Sequence, residues 1–219
     1  MHRVVSLGAA VNELSRSGAL TVVDHPHVEL DSRARRIQTR RLLMRPWLPD
    51  DAHGAFQIYG APSVAHWLCP ALPPIVAESD MHRMLEGWIA ESDGTGMPLG
   101  RWAITESQSE EVIGGVALLP LPPGCTDLEI GWQLAPHRWG YGYGTEAGHA
   151  VAHQAFENGG ISEVFAVMRP GNHRAVATAR RVGMEWVGET DKYYDLSLQV
   201  YRLSKADLDL PEPACASPG

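Results

Sequence analysis

The chain has 219 residues, 44% of them hydrophobic, and a net charge of −8. That suffices for one domain of about 150–180 residues with tails and a sizeable core, and the composition is neither fibrous nor collagen-like. The acidic balance argues against a general grip on nucleic acid, and no apolar run approaches the roughly 18 residues of a membrane span.

Cys69, Cys125 and Cys215 are odd in number, far apart and without a CxxC pair. This speaks against a disulfide framework or a zinc site and fits a reducing compartment. The mildly apolar Val4–Val11 is followed directly by Asn12, Glu13 and Arg16, an order unlike a secretory signal. A cytoplasmic protein is expected, with neither nucleic acid nor membrane as partner. Arg33, Arg35, Arg36, Arg40, Arg41 and Arg45 fall within thirteen residues. They read as a solvated basic entry to the first strand rather than as a nucleic-acid patch.

Residues 1–36 show no sustained period and are expected to form an N-terminal extension. Arg41–Arg45 reads as a short strand closed by Pro46. Asp50 or Asp51 can cap a helix running to about Tyr59. After the proline-rich Trp67–Pro74, Met81, Met84, Leu85 and Trp88 take helical spacing within Glu78–Ala90. Trp102–Thr105, Val112–Leu119 and Asp127–Leu134 read as strands. A helix is expected from near Thr145 to the stop Asn158-Gly159-Gly160, then a buried strand at Val164–Met168. Asn172 opens a helix that Gly183 ends, and Trp186–Thr190 and Leu198–Leu203 close the domain as strands. The tail 206–219, with Pro, Ala and Ser prominent at its end, is expected to be loose. The order predicts an α/β domain with a mixed sheet and helices on both faces.

The glycine-rich WGYGYGTEAG, Trp139–Gly148, stands between a strand and a helix. Such a turn bares backbone N–H groups at the positive end of a helix dipole, which is an anion site suited to phosphate. A P-loop is excluded because no Gly-Lys-Ser/Thr follows. Gly142-Tyr143-Gly144-Thr145-Glu146-Ala147 matches a dinucleotide fingerprint, with Glu163 near the expected acid. Three strands precede it, however, and no second βαβ half follows.

Three ordered motifs carry a resemblance. They are the strand Leu128–Leu134 with Ala135-Pro136, then Trp139–Ala147, then the helix from Asn172 to Gly183-Met184. With the opening Thr39–Trp47 and Asp50-Asp51, residues 37–205 resemble the GNAT N-acetyltransferase superfamily, specifically its RimJ/RimL-type branch. The resemblance implies a single GNAT-like domain with a mostly antiparallel sheet and a splayed central parallel pair. It implies acetyl-CoA as cofactor, held at Gly140, Tyr141, Gly142, Tyr143, Gly144 and Thr145 through its pyrophosphate. Its pantetheine would lie against the backbone of Gln133, Leu134 and Ala135, with Asn172 alongside, although Asn172 also reads as a plain helix cap. The implied reaction is transfer of acetyl to a primary amine, either a protein N-terminus or a small amine such as an antibiotic.

For chemistry, Glu129 is the best-placed base, on the strand face it shares with Asp127, Gly131 and Gln133. The proton donors found on the last helix elsewhere in the superfamily are matched here by Ala175 and Ala179. Tyr193, Tyr194 and Ser197 remain as hydroxyl candidates, and Tyr194 is taken as the acid. Backbone amides at Leu134–Ala135 are expected to serve an oxyanion. Arg138 and Arg174 are candidates for the cofactor phosphates by charge, and Trp67, Trp88 and Trp102 for the wall of the acceptor site. The missing helix donors leave a second reading, a noncatalytic acyl-CoA-binding or sensor module. The acceptor's identity and a homodimer stay open.

Overall fold

The computed structural model describes residues 28–31, 35–68, 72–93, 96, 98–122, 126–158 and 160–208. Within them the elements run β1 (Glu29–Asp31), β2 (Arg36–Gln38), β3 (Leu42–Pro46), α1 (Ala52–Tyr59), α2 (Pro62–Ala65) and α3 (Glu78–Asp93). Then follow β4 (Gly100–Glu106), β5 (Val112–Pro120), β6 (Leu128–Leu134) and α4 (Tyr143–Asn158). The chain continues through β7 (Glu163–Met168), α5 (His173–Val182), β8 (Glu185–Thr190), β9 (Leu198–Ser204) and α6 (Lys205–Leu208).

The strands form one open sheet in the order β1-β2-β3-β4-β5-β6-β7-β9-β8. Every pairing is antiparallel except β6 with β7, which is parallel and registers at a single pair, Glu129↔Phe165. Alternation along the strands gives the sheet two apolar faces. One packs on α4 and α5 through Ile104, Val116, Ile130, Ala147, Val151 and Val182. The other packs on α1 and α3 through Trp47, Ala55, Tyr59, Leu85, Trp88 and Ala103. This is the expected α/β architecture, splayed parallel pair included.

Local caps explain the helix boundaries. Asp80 Oδ2 accepts the amides of Val76 and Ala77 at 3.2 and 3.0 Å, which starts α3. Asn172 Oδ1 accepts the Ala175 amide at 3.2 Å, and Gly183 at φ +98° ends α5. Helix α4 starts at Tyr143, two residues before the expected Thr145, because the Glu146 amide already donates to the Gly142 carbonyl at 3.0 Å.

Several expectations change. Residues 29–31, read as part of an extension, pair with β2 and lengthen the sheet. Lys205–Leu208 forms a helical turn where a tail was expected to begin. Residues 1–27 and 209–219, and with them Cys69, Cys125 and Cys215, lie outside the described residues. The basic run is not merely solvated. Arg35 donates to the carbonyls of Ser92 and Leu99 at 2.7 and 2.8 Å, and Arg45 forks onto Asp51 at 2.7 and 2.8 Å. Trp102, expected at the acceptor wall, is fully buried, with its Nε1 donating to the Arg35 carbonyl at 2.9 Å.

Candidate active site

A cavity of about 970 Å³ opens where β6 and β7 diverge. It extends from the glycine loop, past the start of α5, to the aromatic side chains of α1 and α3.

The glycine loop is the first wall. After β6 the chain makes a tight turn at Pro136–Arg138, and Trp139 Nε1 donates back to the Leu134 carbonyl at 2.9 Å. Gly140 and Gly142 take φ of +86° and +81°, a region that costs residues with a Cβ about 1–2 kcal/mol. Gly144 is helical, and its role is contact: a Cβ there would lie 3.4 Å from Thr178 and 3.5 Å from Leu134. The first-turn amides of α4 therefore have no helical acceptor and meet the cavity at the positive end of the dipole.

The loop is tied down from the turn before β3 and from the end of β4. Glu146 accepts from Thr39 Oγ1 at 2.6 Å, the Arg41 amide at 3.1 Å and Arg41 Nε at 2.6 Å. Arg41 also donates to the Tyr141 carbonyl at 2.9 Å and lies over the Tyr143 ring. Exposed Tyr141 stacks on Tyr143, whose hydroxyl donates to Glu106. That hydrogen bond, helped by nearby Arg138, holds the Glu106 carboxyl below its usual range. Arg138 itself is committed to Glu111 and Glu106, so its charge is largely spoken for. Arg174 lies 4.4 Å over the Trp139 ring at the start of α5. His137 is exposed and faces Glu111 at 3.5 Å.

The β6–β7 gap is the second part. The Ala135 amide donates to the Ile113 carbonyl at 2.9 Å, and Leu134 registers with Gly114. In an antiparallel ladder this makes Leu134–Gly114 a non-hydrogen-bonded pair, so the Leu134 amide points away from β5. The same alternation turns the Trp132 amide toward the gap. Ala135, expected to share the oxyanion role, is buried and has no amide to offer. The Gln133 backbone faces β5, and its side chain accepts from the Tyr59 hydroxyl at 3.2 Å. Asn172 lines the gap while capping α5.

The two residues named for proton transfer meet. The Tyr194 hydroxyl donates to Glu129 Oε2 at 2.7 Å, across a sequence separation of 65 residues. Burial pushes the Glu129 carboxyl up to about 6, held there against hydrogen bonds from Tyr194 and the Val167 amide and the field of Arg101. Tyr194 sits at φ +58° and Asp195 at +53°, so a tight turn aims the phenol. Tyr193 is buried on Leu121 and Leu198, and its hydroxyl donates to Asp127 at 3.0 Å. Ser197 is exposed and lies outside the cavity lining. Ala175 and Ala179 put no hydroxyl on α5, although Thr178, in the second turn of the helix, lines the cavity.

The far wall was only partly foreseen. Trp67 and Trp88 do line it, joined by Trp47, Tyr59 and Arg101. The ring centroids of Trp47 and Tyr59 lie 6.0 and 5.4 Å from that of Trp88. Burial raises the Tyr59 phenol, which stays protonated. Tyr59 had read only as an apolar helix position. Nothing but its place at the start of β4, on the face of Gly131 and Glu129, marks Arg101 in the sequence.

Comparison with known proteins bears on the fold and the family. Among curated proteins, the chain is 30% identical over 114 residues to the uncharacterized protein YkkB of Bacillus subtilis (strain 168), covering 52% of this chain and 58% of YkkB. It is 23% identical to the uncharacterized N-acetyltransferase YoaA of the same organism, covering 72% of this chain and 86% of that one. Among solved structures, a GNAT-family acetyltransferase from Bacillus anthracis superposes with a TM-score of 0.66 at 18% identity, covering 78% of this chain and 99% of that one. The microcin C7 self-immunity acetyltransferase MccE, solved with acetyl-CoA and AMP, gives 0.62 at 15% identity, covering 75% and 93%. These two likenesses concern the fold. The acetyltransferase (GNAT) domain pattern matches residues 41–185, well over half of the chain, and the chain belongs to the GNAT family of acetyl-CoA-dependent acetyltransferases.

Proposed function

We propose that the protein is a cytoplasmic N-acetyltransferase of the RimJ/RimL-type branch, moving acetyl from acetyl-CoA directly to a primary amine. The observation that carries this reading is the Tyr194–Glu129 hydrogen bond, set in the same cavity as the glycine loop and the β6–β7 gap. The loop fits the cofactor: Gly140 and Gly142 hold a left-handed path without a Cβ, leaving the amides of residues 140–145 open to a pyrophosphate. The gap fits a pantetheine chain, with Trp132 and Leu134 amides turned toward it.

Held by the loop amides and the β6–β7 gap, acetyl-CoA would supply a thioester carbonyl carbon for the amine nitrogen to attack, its C–S bond breaking to release the CoA sulfur. Glu129, ionised above about pH 6, accepts the proton that the attacking amine must lose. The Leu134 amide stabilises charge on the carbonyl oxygen. The Tyr194 hydroxyl gives its proton to the leaving sulfur and recovers one from the Glu129 carboxyl, to which it is hydrogen-bonded. The net proton movement runs from amine to thiol, and the pair returns to its starting state. A linked acid and base is more than a sensor module needs, which favours catalysis over binding alone.

The test is calorimetric titration with acetyl-CoA and CoA, followed by thiol release with a panel of primary amines. Binding in the micromolar range and amine-dependent thiol release are expected. No binding of either cofactor form would sink the reading, and binding without turnover on any amine would turn it toward the sensor module.

A further inference from the structure

The acceptor half of the cavity holds a cation that the chemistry above does not use. Arg101, the second residue of β4, registers opposite Ala117 on β5, which registers opposite Gly131 on β6. Residues directly opposite in antiparallel pairs share a face, so the three cross the sheet in one row. Glu129 stands two residues along β6 on the same face. At a strand spacing of about 4.8 Å, the β4 and β6 backbones are about 10 Å apart here. In that row only Ala117 lies between them, with Leu119 beside it opposite Glu129, and a Cβ built on Gly131 meets nothing within 4 Å. The floor between a guanidinium and a carboxylate is thus open, and Arg101, Ala117, Glu129 and Gly131 all line the cavity.

The guanidinium is incompletely matched by its own protein. Its Nε is buried without a hydrogen-bond partner, and its carbon lies 5.1 Å over the Trp88 ring. The carboxylate paired with it, exposed Glu91, is 3.9 Å from that Nε, beyond hydrogen-bond range. Its field reaches Glu129 and Tyr59, favouring the ionised form of each. A partly desolvated guanidinium is costly without an anion, and its planar fork matches a carboxylate with two parallel bonds.

We propose that Arg101 recognises the acceptor, and that the acceptor is a primary amine bearing a carboxylate, an amino acid in chemical class. Such a zwitterion lies across Ala117 and Gly131, its amine at Glu129 and its carboxylate on the Arg101 fork. Trp47, Trp67 and Trp88 wall the site and favour an apolar or aromatic side chain. Lacking a carboxylate, a plain amine leaves the guanidinium unmatched and is discriminated against. This inference rests on the acetyltransferase reading.

The experiment uses matched pairs, phenylalanine with phenethylamine and tryptophan with tryptamine. Each compound serves as acceptor with acetyl-CoA and as ligand in calorimetry with CoA bound. The wild-type protein is expected to prefer the amino acid of each pair by about tenfold or more, in kcat/KM or in Kd. In Arg101→Gln that ratio is expected to fall toward one, and in Arg101→Lys to stay intermediate. Because the ratio is taken within each protein, general damage from a substitution cancels. Equal or better use of the decarboxylated amine by the wild type overturns the proposal, as does a ratio unmoved in Arg101→Gln. Failure of both members of each pair to bind overturns it as well. Selective binding of the amino acids without turnover of any amine defeats the acetyltransferase reading and leaves the recognition role of Arg101 supported.

Discussion

The Tyr194 hydroxyl donates to Glu129 Oε2 at 2.7 Å, joining a turn near the chain's end to the strand that edges the central gap. The hydrogen bond favours the ionised carboxylate, while burial disfavours it, and burial prevails. The Glu129 carboxyl is therefore lifted from its ordinary value to about 6, which suits the base proposed for the reaction. The expected kcat/KM profile rises with unit slope through about pH 6 and levels above it, with the amine's own titration adding a limb at higher pH. Glu129→Gln is expected to abolish the limb near pH 6 and lower kcat by about 10²–10⁴-fold. The same shift has a stability consequence. The folded state holds this proton more tightly than the unfolded one, so the Glu129 contribution to stability declines as pH rises from about 4.5 to about 6. Denaturant melts of wild type and Glu129→Gln across that window check the sign.

Tyr194→Phe removes the phenol and leaves the ring. Loss of its hydrogen bond withdraws an influence that lowers the Glu129 proton affinity, so the acidic limb is expected to move above pH 6. The turnover rate is expected to drop about 10²-fold if the phenol also protonates the leaving sulfur. A pH–rate profile separates the two effects: the position of the limb reports the lost hydrogen bond to Glu129, and the height of the plateau reports the lost proton donor.

How much of this was legible in the sequence differs between the two ends of the cavity. The glycine loop could be read because its constraints are local: φ above zero at Gly140 and Gly142, and a helix beginning directly after. Asn172 was legible for the same reason. The pairing of Glu129 with Tyr194 was not, because it spans 65 residues and depends on an irregular turn with two left-handed residues other than glycine. Tyr59 and Arg101 carry no such local mark, because their roles come from strand register and from the packing of α1 over the sheet. The ties that hold the loop, Arg41 to Glu146 and Tyr143 to Glu106, likewise join residues far apart in the chain.

Gly142→Ala tests the loop. The added Cβ meets only Arg41, at 3.5 Å, so contact is ordinary and the cost lies in the backbone at φ +81°. That cost is about 1–2 kcal/mol, and the loop can escape it only by changing path. Affinity for acetyl-CoA is expected to fall about tenfold, since 1.4 kcal/mol corresponds to that factor. Calorimetric titration reads it directly, and an unchanged Kd would detach the loop from the cofactor.

Gly115 and Gly131 stand on the same sheet face, yet substitution is expected to act on them in opposite ways. A Cβ on Gly115 would lie 2.3 Å from the Tyr59 hydroxyl and 2.9 Å from Trp47, both in the buried cluster of α1 and α3. Neither ring can withdraw without opening that cluster, and moving Tyr59 also breaks its hydrogen bond to Gln133. Gly115→Ala is expected to lower stability by about 1–3 kcal/mol, the usual cost of overpacking. A Cβ on Gly131 meets nothing within 4 Å, so Gly131→Ala is expected to keep stability within about 0.5 kcal/mol. Its methyl would instead project into the cavity floor between Arg101 and Glu129, raising KM for the acceptor while leaving acetyl-CoA affinity intact. Denaturant titration of the two variants, with acceptor KM and acetyl-CoA Kd measured for each, distinguishes a residue that closes the core from one that shapes the site. A stable Gly115→Ala, or an acceptor KM unmoved in Gly131→Ala, would contradict this assignment.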